Sequence, residues 1–339
     1  MTKLRINLAL QGGGAHGAFT WGALDRLLQE PDLEIAAISG TSAGALNAAA
    51  LKSGMISDGA DGAREALETL WQRIASNSSA GMPQWFAHDA FSPSLMSQAL
   101  ELSAPYMFAD AFNRLTSPYS WGPFYNHPLR SIVDGFDYGD VCAGEGPALF
   151  IGATNVRSGK VKVFRGAEIG PDALLASACL PTLFRAVEID GEAYWDGGYT
   201  GNPPLFPLYD KGLPDDVVII NINPLERDEV PQTAQAIQNR INEISFNSSL
   251  LRELRAISFV QRLIGEGTIA AGAMKRVNVH MIADDVLMNE LSVATKTVAI
   301  PSVLFALKSA GQAAAEQFLN AHRSDIGVRS SVNLQAMFS

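Results

Sequence analysis

"LRINLALQGGGAHGAF", residues 4–19, sets a short apolar run directly against a cluster of glycines. Residues 4–10 read as a buried strand, and "GAFTWGALDRLLQE" (17–30) as a helix with Trp21, Leu24, Leu27 and Leu28 on one stripe and Pro31 as its end. Between them Gly12, Gly14 and Gly17 spell G-x-G-x-x-G, the pattern of a dinucleotide-binding loop when it joins a strand to a helix. The next segment repeats the alternation: "LEIAAIS" (33–39) is a second buried strand, and "AGALNAAALKSG" (43–54) a second helix with Gly54 as its stop signal. Strand, helix, strand, helix implies a right-handed crossover in a parallel sheet. Loops 11–17 and 40–44 then leave the carboxyl ends of their strands. Adjacent strands would set them face to face across the crevice where α/β folds bind ligands.

The second loop separates two chemistries. A nucleotide fold places an acidic residue near the end of its second strand, about 20 residues past the glycines, to hold the ribose. Here Asp32 and Glu34 fall at the start of that strand, and its end runs into "GTSAG", with Ser42 at the centre of G-x-S-x-G and Gly40 and Gly44 on either side. A serine in such a strand-to-helix turn is pushed out at the top of the sheet, and the following helix start brings unpaired N–H groups beside it. Attack by that hydroxyl on a carbonyl needs bare backbone donors for the developing oxyanion. Gly12, Gly13 and Gly14 are expected to supply them from the neighbouring loop; the plainer role for these glycines is close helix–strand packing.

A serine also needs a base. The five histidines are His16, His88, His127, His280 and His322, and none follows a strand in the manner of a triad histidine. Further on, "ALFIGATNV" (148–156) and "KVKVFR" (160–165) read as strands joined by Ser158-Gly159, "PDALLASACLP" (171–181) as a helix stopped at Pro181, and "AVEIDGEAYWDGG" as a hairpin turning at Asp190-Gly191. Asp196 comes directly off the second arm of that hairpin and is followed by glycines. Asp190 is the rival carboxylate, but the ordinary turn role accounts for it. Asp196 is therefore the candidate base, because a carboxylate held dry against a hydroxyl can accept its proton.

These residues resemble the patatin-like phospholipases. The likeness lies in "GGGAHG", "GTSAG" and "DGG" in that order, and in "ASACLPTLFRAVEIDGEAYWDGGYTGNPP", and it runs from about residue 5 to 225. The resemblance implies an α/β three-layer sandwich, a mainly parallel sheet flanked by helices, in which Ser42 and Asp196 form a nucleophile–base dyad and the backbone of Gly12, Gly13 and Gly14 forms the oxyanion hole. One departure is His16, which stands where that family's glycine loop usually carries Arg or Lys. Imidazole donates a hydrogen bond and is charged at mildly acidic pH, but it lacks a permanent charge. His16 is thus a secondary candidate, either as a loop donor or as a base in place of Asp196.

The rest of the chain divides by composition. Residues 82–130 hold six of 17 prolines, ten of 28 aromatics and only five charged residues, which predicts an apolar insertion of short helices, either packed on the core or acting as a lid over an apolar substrate. "DVVIININP" (216–224) is a further buried strand, and from about 233 to 339 the chain reads as mostly helical. The late helices have two open roles, packing on the sheet or forming a homodimer interface.

With 47% hydrophobic and 18% charged residues, the 339-residue chain can bury one large core, so a single domain is expected. The net charge of −10 leaves no basic footprint for nucleic acid or anionic lipid, so any peripheral membrane contact is expected through apolar surface. Cys142 and Cys179, 37 residues apart, form no metal pattern and read as buried thiols of a reducing compartment. The start of the chain lacks a signal-peptide pattern and no run of about 18 apolar residues occurs, which points to a cytoplasmic protein. No cofactor is implied, and the spacing of His, Asp and Glu requires no metal. The leading expectation is an acyl hydrolase acting on lipid esters through an acyl-enzyme. Its rivals are hydrolysis of other acyl esters, thioesters or polyesters, a lipid-binding or regulatory protein on the same scaffold, and nucleotide binding at the glycine loop.

Overall fold

The computed structural model describes residues 3–79, 92–227, 230–270 and 272–338. Its strands are β1 (Leu4–Leu10), β2 (Leu33–Thr41), β3 (Ala148–Asn155), β4 (Val161–Arg165), β5 (Val187–Ile189), β6 (Glu192–Asp196), β7 (Asp216–Ile220) and β8 (Asn278–Ile282). They form one sheet in the order β5-β6-β3-β2-β1-β7-β8, with β4 also on β3. The five central strands β3, β2, β1, β7 and β8 run parallel, and β4, β5 and β6 pair antiparallel at one side. The first two strands are neighbours, so the loops that leave them face each other.

The helices before β5 are α1 (Gly17–Leu27), α2 (Ala43–Ser79), α3 (Pro93–Glu101), α4 (Ala104–Leu115), α5 (Arg130–Val133), α6 (Tyr138–Val141) and α7 (Pro171–Ser177). After β7 come α8 (Ala234–Gly265) and then, beyond β8, α9 (Asp285–Glu290), α10 (Ala294–Thr297), α11 (Pro301–His322) and α12 (Leu334–Met337). Side chains alternate across a strand, so each central strand feeds two cores. Ile6, Leu8 and Leu10 of β1 join Val218 and Ile220 of β7 in a core with α1, α2, α7 and α11. Ala9, Val217 and Ile219 turn the other way, against Leu250, Leu254 and Ile257 of α8 and Leu334 of α12. In β2 a register shift beside Ile6/Asn7 lets Ile35 and Ile38 share one face although they are three residues apart.

Several sequence expectations need correction. Gly54 does not stop α2: the helix breaks at Asp58 and Gly59, whose φ is +60°, and the chain returns so that a Cβ on Gly54 would lie 2.2 Å from the carbonyl oxygen of Gly62. Gly54 marks a close backbone approach. The region after 233 is mostly helical, as expected, with β8 added as a parallel edge strand beside β7. Cys179 is buried, but Cys142 is only partly so.

The late helices do pack on the body. Gly22 of α1 meets the Lys308 backbone, and Gly311 of α11 meets that of Phe19, so α1 and α11 touch main chain to main chain. No described helix is long and apolar enough to cross a membrane. Of the apolar insertion, residues 82–91, including His88, lie outside the described residues. The remainder is short helices opened by serine caps with proline in the first turn: Ser92 accepts from the Leu95 N–H and Ser103 from the Tyr106 N–H.

Candidate active site

One strand brings the two ends of the site together. Thr41, the last residue of β2, pairs with Gly152 of β3, and Asp196, the last residue of β6, pairs with Ala153. Both β2 and β4 pair with residues 150–152, so they occupy opposite edges of β3; β4 also holds Ala153 and Thr154, which leaves β6 the edge that β2 vacates. Asp196 therefore arrives where the chain turns off β2 into Ser42.

At that turn Ser42 has φ +55°, a left-handed conformation that costs a non-glycine residue about 1–3 kcal/mol. Neighbouring bonds hold it there. The Ser42 N–H donates to Ser177 Oγ at 2.9 Å, Ser177 Oγ donates to the Gly152 carbonyl at 2.6 Å, and the Ser42 carbonyl accepts the Ala45 N–H that opens α2. The flanking glycines make the turn possible sterically: a Cβ on Gly40 would sit 2.7 Å from the Gly44 oxygen, and one on Gly44 would sit 2.1 Å from the Leu10 oxygen. Ser42 keeps 9% of its surface open.

Asp196 is 2% exposed and receives few donors. The Gly198 N–H donates to its Oδ1 at 2.7 Å, and the Ser42 side chain lies close enough to favour the charged carboxylate. Burial pushes its pKa up to about 7, against the opposing pull of the Gly198 N–H and the nearby Ser42 hydroxyl. Its backbone is fixed independently: its N–H donates to the Cys179 carbonyl at 2.7 Å, and its carbonyl accepts from Thr154 Oγ1 at 2.8 Å. Asp190, the rival carboxylate, has φ +53° in the hairpin turn beside Gly191. It serves the turn.

The glycine loop lies against the serine, since a Cβ on Gly12 would be 2.7 Å from Ser42 Cβ. One expectation is corrected here. The Gly12 N–H is not free to meet an oxyanion, because it donates to Asn202 Oδ1 at 2.7 Å. The Gly12 carbonyl in turn accepts from Asn223 Nδ2 at 2.8 Å and Asn202 Nδ2 at 3.3 Å. Gly13 and Gly14 differ, for their N–H groups donate to none of the described residues.

His16 is buried and points elsewhere, its Nε2 lying 2.8 Å from Thr295 Oγ1 in α10. That hydroxyl already donates to the Ser292 carbonyl, so it accepts from an Nε2–H and leaves Nδ1 as a bare, buried acceptor. Burial, then the charges of Lys296 and Arg227, hold the imidazole well below its ordinary pKa. The expectation of a charged imidazole at mildly acidic pH is therefore corrected: His16 is neutral. The carboxylates that a ribose would need are spent at the opposite end of the sheet, Asp32 on Arg323 and Glu34 on Arg5.

Asn202, Asn223, Ser177 and Lys296 were not among the sequence candidates. Their only sequence signal is position: "GNPP" and "NINP" follow elements that end at the same sheet edge.

A mainly parallel α/β sheet whose second strand delivers a strained serine to a glycine loop and a buried aspartate defines the class, an α/β protein built around a tight strand-to-helix turn. Within it the family model for patatin-like phospholipase matches residues 8–209, and the chain belongs to that family, whose members are lipid acyl hydrolases acting on ester bonds. The chain is similar to solved structures of VipD from Legionella pneumophila (16% identity, TM-score 0.46, covering 94% of this chain and 67% of that one) and of the type III effector protein ExoU (15% identity, TM-score 0.34, 94% and 53%). It is also similar to the heterodimeric ExoU–SpcU complex from the type III secretion system of Pseudomonas aeruginosa, at 18% identity and TM-score 0.30, covering 99% of this chain and 65% of that one. The chain thus spans about half to two thirds of the length of those proteins. No curated protein matches it.

Proposed function

We propose that the chain is a lipid acyl hydrolase in which Ser42 is the nucleophile and Asp196 the general base. The observation that carries this is the docking of β2 and β6 on β3, at Gly152 and Ala153, which sets the turn at Ser42 beside the buried Asp196 carboxylate. As Ser42 Oγ attacks the ester carbonyl, its proton passes to Asp196, and the oxyanion is met by the N–H groups of Gly13 and Gly14. Collapse breaks the bond to the leaving alcohol, which takes the proton from Asp196 and departs. Asp196 then deprotonates a water that attacks the acyl-enzyme, and its proton returns to Ser42 Oγ as the fatty acid leaves.

The apolar insertion fits a cover for this site. Ser97 of α3 donates to Ser292, just ahead of α10, while Arg185, ahead of the β5–β6 hairpin, donates to the carbonyls of Pro118, Tyr119 and Gly122. The insertion is so tied to both sides of the crevice. Leu102, Met107 and Phe108 lie on its surface at 77%, 57% and 75% exposure, and they are read as the face toward an aggregated lipid substrate. The partly buried and buried thiols fit a reducing, cytoplasmic setting.

The test is labelling by a fluorophosphonate together with fatty-acid release from phospholipids, acylglycerols and p-nitrophenyl esters. Wild type should label and turn over, Ser42→Ala should do neither, and Asp196→Asn should lose about 10⁴-fold in kcat. Because the base must be ionised, kcat/KM should rise with pH through about 7. Absence of labelling would instead favour a lipid-binding protein on this scaffold.

A further inference from the structure

Lys296 lies 254 residues after Ser42 in the chain, yet it meets the glycine loop twice. Its main-chain carbonyl occupies the space that a Cβ on Gly14 would need, at 2.1 Å, where the backbone has φ +59°. Its ammonium donates to Asn223 Oδ1 at 2.9 Å, and Asn223 Nδ2 donates to the Gly12 carbonyl at 2.8 Å. That carbonyl belongs to the peptide group whose N–H is that of Gly13. A cation at one end of such a chain withdraws electron density through each link, and the final N–H becomes a stronger donor.

Resting on the acyl-hydrolase reading above, we propose that Lys296 is a positioning residue for the oxyanion hole: its ammonium, acting through Asn223 and the Gly12 carbonyl, polarises the Gly13 N–H and fixes the loop against Ser42. The surroundings keep this charge available. Glu243 of α8 is the carboxylate that faces it, but Glu243 is engaged by Arg227 at 2.6 and 2.8 Å and by Arg240 at 3.3 Å. Lys296 itself makes no ion pair among the described residues. The remaining groups against it are Arg227, from the loop after β7, and His16, which is neutral.

Burial, moderated by Glu243 and reinforced by Arg227, lowers the ammonium to about 8. The other titratable groups against Asp196, Cys179 and Tyr199, are pushed up to about 12 by burial. Of these groups Lys296 alone titrates near 8, so an alkaline limb there that disappears on its substitution is the signature expected of it.

The experiment follows p-nitrophenyl butyrate hydrolysis and the rate of fluorophosphonate labelling from pH 6 to 10 in wild type, Lys296→Met, Lys296→Arg and Ser42→Ala. Wild type should lose rate above about pH 8. Lys296→Met should lower kcat about tenfold at pH 7 with KM little changed, and should lack the alkaline limb. Lys296→Arg, whose charge persists, should recover part of the lost kcat and hold it to high pH. If Lys296→Met keeps the wild-type kcat and limb, the inference is overturned while the dyad stands. If Lys296→Met fails to fold by circular dichroism, Lys296→Arg decides, because a limb that persists near pH 8 in it overturns the inference equally. If Ser42→Ala retains activity or wild type fails to label, the hydrolase reading falls first and takes this one with it.

Discussion

Asp196 and Asp216 are both buried aspartates at the ends of strands of one sheet, and they are built for opposite ends. Asp216 opens β7 at the amino edge, where its Oδ1 meets His280 Nε2 at 2.9 Å, the Gly327 N–H at 2.9 Å and Asn278 Nδ2 at 3.3 Å. The partners come from β8 and from the segment after α11, so this carboxylate ties the carboxyl-terminal part of the chain to the sheet. Asp196 closes β6 at the carboxyl edge with one backbone donor, the Gly198 N–H, and the Ser42 side chain nearby. Both pair a carboxylate with a group able to donate a proton, but only at the carboxyl edge is the carboxylate left short of donors and next to a serine. The number of partners, more than burial, separates the anchoring carboxylate from the one proposed as a base.

Substitution of each aspartate by asparagine is the sharpest way to break this comparison, because the two changes should have opposite signs. Asp196→Asn should abolish turnover by about 10⁴-fold, yet raise stability at pH 8. The folded pKa of about 7 is raised above the ordinary 3.8, so the native state loses stability as pH rises from about 4 to 7. Above that range the buried charge costs about 4 kcal/mol, which asparagine removes. Melting midpoints at pH 5 and 8 check this: the gain should appear at pH 8 and shrink at pH 5.

Asp216→Asn should destabilise by about 3 kcal/mol at pH 7, since it breaks a buried pair while leaving His280 in place. The activity of its folded fraction should stay within about twofold of wild type, as measured by kcat normalised to active-site titration.

A smaller effect is expected from Asn202→Ala, which frees the Gly12 N–H and loosens the loop. It should cost about tenfold in kcat, read from initial rates at saturating ester. The smallest belongs to His16→Gln, held to within about threefold because His16 faces Thr295. Loss of activity in that variant as complete as in Ser42→Ala would remove Asp196 from the role of base.

The parts of the fold that could be read in the sequence are those where backbone geometry dictates residue type. An elbow with φ above zero and a main-chain approach of 2.1 Å leaves Gly44 no alternative, and the hairpin turn at Asp190-Gly191 is similarly constrained. These constraints, with the glycine loop ahead of them, marked the stretches around Ser42 and Asp196 in the sequence. Gly54 misled because a close helix–helix approach selects the same residue as a helix stop. The edge strand "NVHMI" (278–282) is too short to stand out from the helices around it. The commitment of Gly12 to Asn202, and the reach of Lys296 to the loop, depend on contacts 190 and about 280 residues distant in sequence, for which no local pattern exists.

The shared edge of β3 has a consequence for how activity is acquired. Ser42 and Asp196 are 154 residues apart, and they meet because β2 and β6 dock end to end along one strand lying between them in sequence. Such pairing closes long loops and belongs to the slow, nonlocal part of folding. Catalytic competence is thus a kinetic marker of sheet closure: during refolding, labelling of Ser42 should lag behind helix formation and appear only when both docking events on β3 are complete.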